Sequence, residues 1–148
     1  MAVTSTPIFA QTPYVKTLSM AAQDACTTRA PTATGSTAGA YIVLFVPTST
    51  NGLRIDSIQV NACGTGITTT NATNIVGIWA DDGTNAYLIT EILVTVVAPS
   101  TLIAAFTTTY TFPIPLNLPA AFTLKASVTV QTSAGGTALQ VTAFGGAY

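Results

Sequence analysis

The sequence predicts an all-β, single-domain β-sandwich of the jelly-roll type with an extended N-terminal arm. Runs of strand length follow one another from Ala40 onward, enough for seven or eight strands, with Gly, Pro, Asn and Ser between them. No window carries a convincing helical period, and strong helix formers other than Ala are scarce. The loops are longer and less regular than in a meander barrel, which favours two packed sheets, and no repeat of a propeller or solenoid is visible. A chain of 148 residues fits one domain with one core. The arm and a flexible loop are placed at residues 1–40 and the sandwich at 41–148.

Residues 1–40 carry Pro7, Pro13, Pro31 and a Thr/Ala/Gly/Ser stretch from Thr27 to Gly39. Their few large apolar side chains include Ile8, Phe9, Tyr14, Val15, Leu18 and Met20, which argues that the arm docks on something, with one short strand over Tyr14 to Met20. Tyr41 to Val46 is an apolar strand stopped by Pro47. In Leu53 to Ala62 the apolar parity changes between Ile55 and Ile58, so a β-bulge is expected at Ser57. Cys63 to Thr73 reads as a long loop.

The stretch Asn74 to Val97 organises the remainder. Two β-rich runs flank Asp81-Asp82-Gly83-Thr84-Asn85, in which Gly83 supplies a positive φ and aspartate accepts backbone hydrogen bonds, so a hairpin is expected. It holds the only Trp and the longest apolar run, and the core is expected to be built on it. After Pro99-Ser100, the segment Thr101 to Phe112 alternates aromatic residues with Thr107, Thr109 and Thr111, as in a half-buried strand. Pro113, Pro115 and Pro119 remove three donors, which confines that segment to an edge or to the top of a sheet. Phe122 to Gln131 alternates cleanly, and Leu139 to Phe144 is the last strand.

Composition narrows the function classes. Charged residues make up 6% of the chain, against an average of about 25%, with net charge −1 and mean hydropathy +0.55. Such a surface is easily desolvated and poorly protected from association, so much of it is expected to meet other protein. Lys16, Arg29, Arg54 and Lys125 are too few and too scattered to neutralise a run of phosphates, which argues against nucleic acid. No apolar run reaches membrane-spanning length, and the N-terminus lacks a signal-peptide pattern, so synthesis in a cytoplasm is expected. Cys26 and Cys63 are then expected reduced, and the sequon at Asn71 without meaning.

Chemistry is hard to assemble from these residues. There is no His, hence no usual general base or zinc ligand, and neither cysteine has the usual partner of a nucleophilic thiol. Asp81 and Asp82 adjoin in a turn, and Asp24, Asp56 and Glu91 are scattered, so turn formation outweighs paired acid–base work. The turn lacks the spacing and later Glu of a calcium loop. No catalytic residue, metal or cofactor is expected. Arg54 and Asp56 share one face of a strand, where an ion pair is the ordinary reading and an interface pair the alternative. Trp79 and Tyr87 flank the turn, as core residues or as an aromatic platform for sugar.

Three stretches taken together carry a resemblance: Pro7-Ile8-Phe9-Ala10-Gln11-Thr12-Pro13; Gly52-Leu53-Arg54-Ile55-Asp56-Ser57-Ile58 with Asp82-Gly83-Thr84-Asn85; and Leu116-Asn117-Leu118-Pro119 with Phe122-Thr123-Leu124-Lys125-Ala126-Ser127 before a Gly-Gly-Ala-Tyr end. This arrangement resembles the jelly-roll cement, or decoration, proteins of tailed bacteriophage heads. The resemblance implies a virion protein on the capsid surface that clamps neighbouring major capsid subunits as a homotrimer or dimer. The contact residues expected are Ile8, Phe9, Tyr14 and Val15 in the arm, with Arg54 and Asp56 fixing register. The rival readings are a receptor- or glycan-binding head-fibre or tail module, and a self-assembling jelly-roll capsid protein. The scarcity of basic residues in Met1 to Gly39 counts against the last.

Overall fold

The structure, a computed structural model, describes residues 12–27, 29, 32–33, 41–45, 52–133 and 136–147. In chain order the strands are β1 (Thr12–Met20), β2 (Thr32–Ala33), β3 (Tyr41–Phe45), β4 (Leu53–Ala62), β5 (Asn74–Asp81), β6 (Asn85–Val94), β7 (Thr107–Leu118), β8 (Thr123–Val128) and β9 (Leu139–Ala147). No helix occurs among the described residues. The strands form two antiparallel sheets, one ordered β1-β9-β4-β7 and the other β2-β6-β5-β8-β3. One core lies between them, as in a β-sandwich: Met20, Leu53, Ile55, Val60 and Val141 from the first sheet meet Leu44, Val76, Ile78, Leu124 and Val128 from the second. Each side chain of this kind stabilises the fold by about 1.5–3 kcal/mol when taken fully out of water.

The expected hairpin is present and occupies the centre of the five-stranded sheet, where β5 lies between β6 and β8. Gly83 adopts φ +90°, a conformation other residues enter only with strain. Asp81 Oδ1 accepts from the Gly83 N–H at 2.7 Å, and Asp82 Oδ1 accepts from the N–H groups of Thr84 and Asn85 at 2.8 and 2.7 Å. The adjacent carboxylates therefore divide. Asp82 closes the turn, while Asp81 is buried and forms an ion pair with Lys125 on β8.

Strand alternation sends Val76, Ile78 and Ala80 into the main core and Gly77 and Trp79 to the opposite face. Trp79 is 1% exposed all the same, because it packs in a second cluster with Cys26, Ala86 and Leu88. The chain after β1 supplies this cover. Ala25 bridges Val128, the Cys26 N–H donates to the Val128 carbonyl at 2.7 Å, and Arg29 pairs with Glu91 on β6 at 2.7 Å. The core built on the hairpin is therefore two clusters, one on each face of the same sheet.

The bulge falls where the parity change places it. Both ladders of β4 shift register between Ile55 and Ser57, so Asp56 is the extra residue and the apolar side chains on either side of it both reach the core. On the β7 side the partners jump from Leu116 to Thr111, leaving Pro113 and Pro115 in an unpaired excursion on an edge strand.

Candidate interface on the four-stranded sheet

Register decides which side chains share the outer face of the first sheet. β1 pairs with β9 along its whole length, β9 with β4, and β4 with β7, which aligns three rows across four strands. The first row is Val15, Phe144, Ser57 and Thr111; the second is Thr17, Thr142, Gln59 and Thr109; the third is Ser19, Gln140, Asn61 and Thr107. The residues between them along each strand, such as Leu18, Val141, Ile58 and Tyr110, face or pack against the core. None of the row residues carries a charge.

The hydroxyl and amide groups of these rows are partly tied to one another. Thr17 and Thr142 hydroxyls bond at 2.9 Å, and the Thr107 hydroxyl donates to Asn61 Oδ1 at 2.5 Å. Thr107, Thr109 and Thr111 stay exposed on the β7 edge, and Val15 is 62% exposed on β1. A partner covering these rows strips water from hydroxyls, amides and methyl groups but from no ion, which avoids the desolvation penalty of buried charge.

At the bulge the rows give way to two charges, Arg54 and Asp56, whose Nε and Oδ1 atoms lie 2.7 Å apart. Their side chains are 38% and 46% exposed, so the pair is a screened surface contact available to a second molecule. Of the residues expected to make contacts, Val15, Arg54 and Asp56 thus come together at one face. Tyr14 lies on the opposite side of β1, half-buried against the core, because neighbouring strand residues point apart. Ile8 and Phe9 lie outside the described residues. Thr17, Ser19, Gln59, Asn61 and Phe144 were not anticipated. The alternating threonines of β7 and the Ser57, Gln59, Asn61 spacing on β4 were the available signal, but only the register shows that they align.

No acid pair faces across a cleft among the described residues. Asp24 accepts from Gln131 Nε2 at 3.1 Å, Asp56 meets Arg54, Asp81 meets Lys125, Asp82 holds its turn and Glu91 meets Arg29. No group of three or more metal-ligating side chains occurs among the described residues. Cys26 is buried and Cys63 exposed, neither of them in a disulfide, and partial burial raises the Cys63 pKa. The burial of Trp79 removes it as a sugar platform, and the Tyr87 hydroxyl is occupied by Asp82 Oδ2 at 3.2 Å. Comparison with protein-family models and with curated proteins finds no match to this chain.

Proposed function

We propose that this chain is a structural virion protein: a jelly-roll cement protein that binds the outside of a bacteriophage head and clamps neighbouring major capsid subunits. The observation that carries the reading is the set of charge-free rows on the outer face of the four-stranded sheet, which is suited to burial against another protein. The order β1-β9-β4-β7 opposite β6-β5-β8-β3 supports a jelly roll, because two interlocked Greek keys generate that order. On a shell, many shallow contacts of this kind add through multivalency. Ile8 and Phe9, in the sequence before Thr12, offer two further large apolar side chains for contact with a capsid subunit.

The test is the copy number of this chain per major capsid subunit in density-purified particles, read by quantitative mass spectrometry. A ratio near one is expected. A few copies per particle point to a fibre or tail component, and absence from particles overturns the proposal. Deletion of residues 1–11 is the matching truncation, since it spares β1; weakened particle binding with an unchanged melting temperature is expected.

A further inference from the structure

The outer face of the five-stranded sheet brings together an acid and an amine that the capsid reading does not use. Asp81 on β5 and Lys125 on β8 stand diagonally on that face, since Asp81 pairs with Thr123 and Lys125 with Trp79. Their side chains are 3% and 16% exposed. Ala86 and Trp79, opposite Asp81 and Lys125 in the two ladders of β5, are buried in the cluster with Cys26. The two groups are thus held in contact where little water enters.

The two oxygens of the Asp81 carboxyl have different surroundings. Oδ1 accepts from the Gly83 N–H at 2.7 Å, a donor fixed by the positive φ of the turn. Oδ2 is in contact with Lys125 Nζ, and the approach lacks the angles of a hydrogen bond. Asp82, the neighbouring carboxylate, is taken up by the Thr84 and Asn85 N–H groups and does not compete for the amine. Burial disfavours the charged forms, and transfer of one proton from Nζ to Oδ2 leaves a neutral amine facing a neutral carboxylic acid. Those are the forms that condense.

We propose that Asp81 and Lys125 condense to an intramolecular amide that links β5 to β8 covalently. Nζ attacks Cγ, and the negative charge that develops on Oδ1 is held by the Gly83 N–H, a preorganised donor of the kind that serves acyl transfer. A second proton passes from the nitrogen to Oδ2, the Cγ–Oδ2 bond breaks and one water leaves. Ammonium and carboxylate together supply every atom of the amide and the water, so no co-reactant is needed. Only the folded chain brings the groups together: freshly folded protein holds the ion pair, and the amide accumulates with age. The inference stands apart from the capsid reading.

The test is the intact mass of the folded full chain, aged for days near neutral pH, followed by peptide mapping. Aged wild type is expected to be lighter than its calculated mass by one water. Lys125→Arg, which keeps a cation beside Asp81, is expected to keep its full mass, with unchanged Trp79 emission showing that it is folded. The Asp82-Gly83 step is also able to lose water, by closing to a succinimide, so the position of the loss decides between the two. An amide on Nζ stops trypsin from cleaving after Lys125, and chymotryptic digestion then yields a branched peptide joining the segments around Asp81 and Lys125. Full mass in the aged wild type, or loss of water with cleavage after Lys125 intact, would overturn the inference.

Discussion

Trp79 and Ser127 meet across the β5–β8 pair: the indole Nε1 donates to the Ser127 hydroxyl at 2.7 Å, and the two residues are 1% and 3% exposed. Gly77, which lies opposite Ser127, leaves the room for this contact, since a Cβ there falls 2.8 Å from both bonded atoms. Ser127→Ala removes an acceptor from a buried donor and is expected to destabilise the fold by about 1–3 kcal/mol. Gly77→Ala forces the pair apart at a similar cost of about 1–3 kcal/mol. Urea unfolding followed by Trp79 emission measures both, and unchanged midpoints would show that the contact is dispensable.

Breaking the Asp81–Lys125 pair tests the buried electrostatics. The Asp81 side chain is 3% exposed and that of Lys125 16%, so Lys125→Met strands a carboxylate away from water. A loss of about 3 kcal/mol is expected, the lower end of the range for a broken buried pair because Lys125 keeps some solvent contact. Adding Asp81→Asn neutralises the stranded group while keeping an acceptor for the Gly83 N–H, so the double variant should be more stable than Lys125→Met alone. A double-mutant cycle by thermal unfolding reads this coupling.

Acid should loosen the hairpin turn through Asp82. The Asn85 and Thr84 N–H groups, and then the Tyr87 hydroxyl, hold its carboxyl below the ordinary value of 3.8. A depressed folded pKa means that the contribution is complete above the ordinary value and disappears as pH falls through the lowered one. The melting temperature of Asp82→Asn should therefore fall less than that of wild type between pH 5 and pH 2. Parallel curves would remove Asp82 from the acid response.

Substitutions on the four-stranded face separate stability from binding. Arg54→Ala breaks an exposed ion pair and should cost under about 1 kcal/mol. Thr109→Arg, in the middle row at the exposed edge, should leave the melting temperature nearly unchanged. On particles, Thr109→Arg is expected to reduce occupancy at least tenfold, since a charge is then buried without a partner. Full occupancy with Thr109→Arg would exclude this face as the contact.

The local elements were legible in the chain, for local reasons. Asp81 to Asn85 spells its own turn, because Gly83 tolerates positive φ and the aspartates satisfy nearby N–H groups. The parity change around Ser57 exposed the bulge, since a strand reaches one core from both sides of a shift only with an extra residue. Prolines 113 and 115 announced an edge by the donors they lack.

What the sequence by itself determined is the all-β class, the central hairpin, the bulge and a surface nearly empty of charge. Those follow from side-chain type and spacing within a few residues. Tertiary structure decided that Trp79 is covered from outside by residues near Cys26, that Asp81 reaches Lys125 far along the chain, and that Val15, Thr142, Gln59 and Thr109 occupy one face. Strand order and register set these relationships, and both come from the mutual burial of two sheets, to which distant segments contribute together.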